Sequence, residues 1–211
     1  MIELILLISL ILLIGAVGGL SGFAWHRQRK RFAALAQYNQ GVAYLESGAY
    51  PQAISAFQAA LQQQPTLSNA RYGMGLAYLK DRRFLDAIRL LEAALREKPD
   101  DAMVSCNLGW AYLSIGKLED AKKVLEQGMR ANPNVKELYF NLSRVFKEKG
   151  DREQATLYCR RALEIDQQYT QARAELEELA QIRYDAVLNL DVIRQALTDF
   201  NADDTELMIR L

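Results

Sequence analysis

Several residue types that enzyme sites require are scarce in this sequence. Its 211 residues include one histidine, His26, and two cysteines, Cys106 and Cys159. A single imidazole leaves little from which to build a nucleophile–base pair or a histidine metal site. The patterns G-x-x-x-x-G-K-[ST], G-x-G-x-x-G and C-x-x-C are also missing. We therefore expect a protein that is not an enzyme and that binds neither a cofactor nor a metal.

An excess of charge of either sign is missing as well. Lysine and arginine number 26, aspartate and glutamate number 26, and the formal net charge is zero. Proteins that bind nucleic acid need basic residues to offset phosphate charge, so we expect no nucleic-acid partner. The two cysteines fall in separate predicted helices and do not indicate a disulfide framework. We interpret them as buried or groove-lining thiols in a reducing compartment.

A long apolar stretch begins the chain. Residues 2–24 are interrupted only by Glu3, Ser9 and Ser21. About 18–20 apolar residues suffice for a helix to cross a bilayer, so we predict a transmembrane anchor over residues 1–25. A cleaved signal peptide is the alternative, but it would carry its positive charge before the apolar stretch. An uncleaved single span is therefore favoured.

A basic cluster follows the apolar stretch directly. Its members are Arg27, Arg29, Lys30 and Arg31. Basic residues beside a span tend to stay in the cytoplasm, which places the amino terminus outside. We predict a basic juxtamembrane linker over residues 26–33 and the rest of the chain on the cytoplasmic face.

Four glycines share one face of the predicted span. They are Gly15, Gly18, Gly19 and Gly22. Small residues at this spacing allow another transmembrane helix to pack closely. Three interpretations remain open: a partner's transmembrane helix, a homodimer, or the general abundance of glycine in membrane helices.

From residue 34 onward the sequence repeats with a period of 34 residues. A small residue recurs at Gly41, Gly75, Gly109 and Ser143. An aromatic ring recurs at Tyr44, Tyr78, Tyr112 and Phe146. An alanine recurs at Ala53, Ala87, Ala121 and Ala155. Such a period is typical of helical hairpins that must stack, because one hairpin cannot bury its own apolar face.

These positions resemble the tetratricopeptide repeat family, whose motif is W-x2-L-G-x2-Y…A-x3-F…P. The first copy matches at Gly41-x2-Tyr44, Ala53-x3-Phe57 and Pro65. The third copy contains Leu108-Gly109-x2-Tyr112, and no copy has the leading tryptophan. The resemblance implies an all-α solenoid of four helix-turn-helix repeats, at residues 34–67, 68–101, 102–135 and 136–169.

The pattern also predicts where helices begin and end. We expect eight repeat helices, at residues 35–47, 51–64, 69–81, 85–97, 103–115, 119–131, 137–149 and 153–166. Gly48, Gly116 and Gly150 stand where a first helix ends, a place that favours a left-handed residue. Pro65 and its equivalents end the second helices, because the residue before a proline avoids the helical conformation.

The chain departs from the period after the fourth repeat. Residues 170–183 begin like a first helix but place Glu177 where the small residue belongs. We predict a capping helix there, with a polar outer face. Residues 184–211 are predicted to form a helical extension, which either packs against the cap or binds a partner.

In the family that the chain resembles, the first helix of each repeat lines a concave peptide-binding groove. Carried over residue by residue, the lining is Tyr38, Asn39, Val42, Tyr72, Leu76, Cys106, Asn107, Trp110, Phe140, Asn141, Arg144 and Lys147. Asparagine can bond to a peptide backbone as donor and acceptor, and aromatic rings offer contact area. Packing of some of these rings in the core is the alternative.

The type of ligand follows from the same positions. Family members that bind chaperones hold a C-terminal carboxylate with lysine and asparagine, but Tyr38 and Val42, or Tyr72 and Leu76, occupy those places here. An apolar or amphipathic segment is therefore the favoured ligand. Arg144 and Lys147 are positioned to meet acidic residues flanking such a segment.

These features together predict a membrane-tethered scaffold that helps to assemble a membrane protein complex. The expected partners are a protein segment in the groove, the membrane through the anchor, and a transmembrane helix or second copy at the glycine face. The layout resembles that of small membrane-anchored family members that help assemble photosystems and, less closely, envelope assembly factors. A permanent structural subunit of a large membrane complex is the alternative.

Overall fold

The computed structural model describes residues 25–181, and these residues are all-α, with no strand. The helices follow one another with short turns. In chain order they are α1 (25–46), α2 (Tyr50–Gln63), α3 (Ser68–Lys80), α4 (Phe84–Glu97), α5 (Ala102–Ser114), α6 (Leu118–Ala131), α7 (Lys136–Glu148), α8 (Arg152–Ile165) and α9 (170–181).

The helix boundaries lie close to the predicted ones. Each of α2 to α8 begins one residue before its predicted start. The main difference is α1, which is already helical at Trp25, so residues 26–33 and the first repeat helix form one helix. Three predicted parts lie outside the described residues: residues 1–24 of the anchor predicted over 1–25, with its four glycines; the last two residues of the predicted cap; and the extension at 184–211. Between residues 25 and 181, no helix has both the length and the apolar character needed to span a bilayer.

Left-handed residues end the first helix of each hairpin. Gly48, Gly116 and Gly150 have φ angles of 77°, 75° and 79°, as predicted. The equivalent position in the second hairpin is Arg82, whose φ is 61°. A side chain in this region is strained by contact between its Cβ and the following carbonyl. The period therefore imposes the same turn on a residue that is poorly suited to it.

An extended residue ends the second helix of each hairpin. Gln64, Lys98 and Asn132 have φ near −140° and precede prolines. Asp166 takes the same conformation, with φ −141° and ψ 101°, although Gln167 follows it. The turn is thus not dependent on proline, since the backbone N–H of Asp166 still bonds to the carbonyl of Ala162 as in the other hairpins.

The described chain divides into two compact units between Gly116 and Lys117. In the first unit, α2 packs on α3, α3 on α4, and α4 on α5. Its most buried large side chain near α1 is Phe57, which has no exposed surface. A Cβ placed on Gly41 or on Gly73 would stand 2.7 Å from the ring carbons of Phe57. Both glycines are therefore required by this ring.

In the second unit, α6 packs on α7 and α7 on α8. Ser143 and Cys159 are fully buried here, and Ser143 Oγ and Cys159 Sγ are joined by a hydrogen bond of 2.9 Å. Cys159 also forms a core cluster with Ala155 and with Leu179 of α9. The capping helix is thus part of this core.

Candidate protein-binding surface

The residues predicted to line a groove lie on the first helices α1, α3, α5 and α7, and they differ in exposure. Asn39 is exposed, whereas Cys106 and Asn141 are 5% and 8% exposed and present little surface. The others are half-buried: Tyr38, Val42, Tyr72, Leu76, Asn107, Trp110, Phe140, Arg144 and Lys147.

In the first unit, Tyr72 of α3 and Asn107 of α5 are brought together. Asn107 Nδ2 donates to the Tyr72 hydroxyl at 2.9 Å and to the Met103 carbonyl at 2.9 Å. Both amide hydrogens are therefore used, which fixes the amide with its Oδ1 as the atom still able to accept a bond. Burial, with a further contribution from the charge of Asp101, raises the pKa of Tyr72. Its hydroxyl stays protonated and can donate.

The same two helices bring Trp110 and Lys80 together. The Lys80 ammonium lies 5.2 Å from the centroid of the Trp110 ring. A cation at this distance from an indole face is attracted by the negative potential of the ring. Lys80 is exposed and Trp110 is half-buried, so the pair presents both an apolar face and a positive charge.

Two predicted residues on α1 contribute to the core as well as to the surface. Tyr38 and Val42 pack against the cluster formed by Phe57, Ala53 and neighbouring buried residues. The Tyr38 and Phe57 ring centroids are 5.8 Å apart, at an interplanar angle of 49°. These side chains therefore border the surface, with part of each held by the core.

Three exposed residues on the first helices were not predicted to belong to the binding surface. Met103 is 48% exposed and Leu35 is 45% exposed, although both are apolar. They occupy equivalent positions in the third and first repeats, so the period was a signal that could have found them. Lys80 could not be found in this way, because its contact with Trp110 depends on how α3 and α5 pack.

In the second unit, Phe140 of α7 meets Tyr169 just before α9. Their ring centroids are 5.4 Å apart in an edge-to-face arrangement. Lys136 Nζ lies 4.9 Å from the Tyr169 ring centroid and 2.5 Å from Asp166 Oδ2. The Lys136 ammonium, together with the Gln168 N–H, holds the pKa of Asp166 below its usual range. Phe140 thus packs against the turn that connects α8 to the capping helix.

Lys147 also binds the cap. Its ammonium forms ion pairs with Glu178 at 2.8 Å and Glu175 at 3.0 Å. Burial alone would lower the pKa of Lys147, but the two carboxylates outweigh it and the pKa is raised. Lys147 was predicted to meet acidic residues of a ligand, and in this structure its acidic partners are within the chain. Arg144, on the same helix, is half-buried.

The predicted topology residues lie on the first part of α1. Arg27, Arg29, Lys30 and Arg31 are all exposed, and the Arg29 guanidinium lies 5.5 Å from the Trp25 ring centroid.

In the part of the chain that the structure describes, no cluster of three or more His, Cys, Asp or Glu residues could hold a metal ion. Burial raises the pKa of the Cys159 thiol, which keeps it protonated and unreactive.

The hairpin geometry agrees with known sequence profiles. Profiles described as tetratricopeptide repeat match residues 44–104, 78–144 and 136–169, which together span more than half of the chain. The chain belongs to the tetratricopeptide repeat family. No curated protein sequence matches it.

Solved tetratricopeptide repeat structures are similar to this chain. A thermophilic TPR protein of Thermus thermophilus has a TM-score of 0.64 and 24% identity, covering 72% of this chain and 83% of that one. The pilF protein of Pseudomonas aeruginosa has a TM-score of 0.65 and 21% identity, covering 75% of this chain and 72% of that one. MamA of Desulfovibrio magneticus, from residue 41 to its end, has a TM-score of 0.61 and 24% identity, covering 64% of this chain and 77% of that one. At these identities the likeness establishes the fold, an all-α tetratricopeptide repeat solenoid.

Proposed function

We propose that this tetratricopeptide repeat protein is a membrane-tethered scaffold that holds a segment of a client protein while a membrane complex is assembled. The proposal includes no catalytic step. It places the repeats on the cytoplasmic face, supported by the apolar residues 2–24 and the basic cluster that follows them.

The observation that carries the proposal is the surface formed by α3 and α5. Tyr72 and Asn107 hold each other in place, and they offer a hydroxyl donor and an amide acceptor. Trp110 and Met103 lie on the same helix as Asn107 and supply apolar contact. A fixed amide can bond to a peptide backbone without selecting its side chains, and little conformational freedom is lost on binding because the amide is already ordered.

The chemistry of this surface favours an amphipathic segment that carries acidic residues. Trp110 and Met103 fit apolar side chains of such a segment, since tryptophan is enriched among residues that dominate binding energy. Lys80 beside Trp110 supplies a positive charge for a flanking carboxylate. Lys147 supplies none in the second unit, because Glu175 and Glu178 already neutralise it.

The test uses site-specific crosslinking in the full-length protein in its native membranes. A photoreactive amino acid replaces Met103 on α5 or, as the control, Leu85 on α4; the two side chains are 48% and 69% exposed. We expect a defined protein adduct from position 103 and none from position 85. Trp110→Ala should remove most of the adduct, whereas Leu157→Ala, an exposed position on α8, should leave it unchanged.

Four results would count against the proposal. An adduct of equal yield from both positions would mean that the α3–α5 surface is not selective. The absence of an adduct at position 103 would mean that no client binds at this surface. An adduct that Trp110→Ala leaves unaffected, with an unchanged helical spectrum, would mean that Trp110 does not contribute to binding. A partner that stays bound in one-to-one ratio through detergent extraction would instead favour a permanent structural subunit.

A further inference from the structure

The first part of α1 is a helix with no packing partner among the described residues. Residues 25–33 are all exposed, and the first buried residue of the helix is Ala34. The backbone nevertheless stays helical from Trp25 to Glu46 without interruption. Because isolated helical turns are marginal in water, an exposed segment of this length gains from a surface on which to lie.

One side of this exposed segment is apolar. Trp25 and Phe32 are each 64% exposed, and Leu35 is 45% exposed. Residues seven apart are separated by about two turns, so Trp25 and Phe32 lie on the same side of the helix. Ala34, which enters the core, lies on the opposite side. The aromatic side therefore faces away from the hairpin.

The charges on this segment of α1 are all positive. Arg27, Arg29, Lys30 and Arg31 are exposed, and the sequence contains no aspartate or glutamate from residue 4 to residue 45. The Arg29 guanidinium sits near the Trp25 ring rather than near a carboxylate. A helix with aromatic residues on one side and cations on its flanks and opposite side has the composition of segments that lie on anionic bilayers.

We propose that residues 25–35 of α1 lie along an anionic lipid surface, with Trp25 and Phe32 at the headgroup level and with Arg29 and Arg31, which flank this side, reaching lipid phosphates. Tryptophan is enriched at the membrane interface, and each basic residue near an anionic surface strengthens binding. The chain that precedes Trp25 is apolar and would bring this residue to the bilayer. The inference rests on the proposed tether and adds an orientation: α1 runs along the membrane.

This orientation is measurable because Phe32 lies about 10 Å along the helix from Trp25. If α1 stood upright, residue 32 would be clear of the acyl chains. The full-length protein is placed in nanodiscs of phosphatidylcholine with or without phosphatidylglycerol, both containing lipids brominated on the upper acyl chain. The two native tryptophans are removed by Trp25→Phe and Trp110→Phe, and Phe32→Trp is added to the same variant. Its emission therefore reports on position 32 alone.

We expect Trp emission from position 32 to be quenched in discs that contain phosphatidylglycerol. Changing the four cations to glutamine should abolish this quenching. Changing only the three arginines to lysine keeps the positive charge and should leave the quenching in place. The matched control removes four exposed cations elsewhere: Lys123, Arg130, Arg152 and Arg160. A tryptophan at position 85 of α4, in place of Leu85, should remain unquenched.

Several results would overturn the inference. Emission from position 32 that no brominated lipid quenches would show that α1 stands away from the membrane. A spectral shift that depends on the number of protein copies per disc, and not on phosphatidylglycerol, would assign the aromatic side to a second copy of the chain. Quenching that persists after the four cations are changed to glutamine would show that this segment does not depend on anionic lipid. Failure of the tether itself is distinguished separately, by release of the full-length protein from native membranes at alkaline pH.

Discussion

The ring of Phe57 occupies the space in which Gly73 would otherwise carry a side chain, since a Cβ at residue 73 would stand 2.7 Å from Phe57 Cζ. The two positions are 16 residues apart. At the same spacing, Leu91 is followed by Asn107 and Leu125 by Asn141. The one repeat with phenylalanine is thus the one followed by glycine rather than asparagine.

Gly73→Asn should therefore destabilise the protein, by about 1–3 kcal/mol, because a side chain is forced against a buried ring. Adding Phe57→Leu to it should recover part of the loss, since a smaller side chain leaves room for the amide. Thermal unfolding of the full-length protein, followed by circular dichroism, gives the four midpoints of this cycle. Strictly additive effects would show that the two positions are independent.

Arg82→Gly should stabilise the protein by up to about 1 kcal/mol. Arg82 holds a left-handed backbone with φ 61°, which costs a residue with a Cβ and costs glycine almost nothing. Gly116→Ala is the reverse test, since no atom lies within 4 Å of its added Cβ and the cost there is due to backbone conformation alone. A fall in unfolding temperature for Arg82→Gly would mean that the arginine side chain makes a compensating contribution.

Ser105→Ala and Ser143→Ala should have opposite effects. Both serines are fully buried, but Ser105 Oγ has no hydrogen-bond partner among the described residues, whereas Ser143 Oγ is bonded to Cys159 Sγ. An unpaired buried hydroxyl costs about 1–3 kcal/mol, so removing it should raise the unfolding temperature. Removing the Ser143 hydroxyl should lower it. Equal changes of the same sign would contradict this assignment.

Lys147→Met should loosen the capping helix. The change removes the ion pairs with Glu175 and Glu178 and leaves two carboxylates near each other. We expect faster amide hydrogen exchange in residues 170–181 and a loss of about 1 kcal/mol, because the pair is partly exposed. Arg161→Met, which breaks the exposed pair with Glu164, should alter exchange little. Unchanged exchange in α9 would show that Leu179 and Cys159 hold the helix without help.

The repeat period predicts the helices and turns because each recurring residue has the same local task in every copy. Small residues at Gly41 and Gly75 lie against the ring or leucine 16 residues later, and the glycines with positive φ end the first helices as expected. Arg82 shows that the period, rather than the residue, decides the turn. The family assignment follows from the same pattern.

Contacts between side chains of different repeats were harder to predict. The role of Gly73 depends on Phe57, which differs from its equivalents in the other repeats. The bond from Asn107 to Tyr72 joins residues whose distance is set by the packing of α3 and α5. The ion pairs of Lys147 depend on where α9 lies in space. Equivalent asparagines accordingly range from exposed Asn39 to buried Asn141.

The burial of both native cysteines has a practical consequence. Cys106 and Cys159 are enclosed in the protein interior, and the pKa of Cys159 is raised as a result. Thiol reagents react with thiolates that they can reach, so the folded wild-type chain should be nearly inert to maleimides. A cysteine introduced at position 103 or 85 can then be labelled selectively without prior mutagenesis. Spectroscopic probes can be attached to an otherwise native protein.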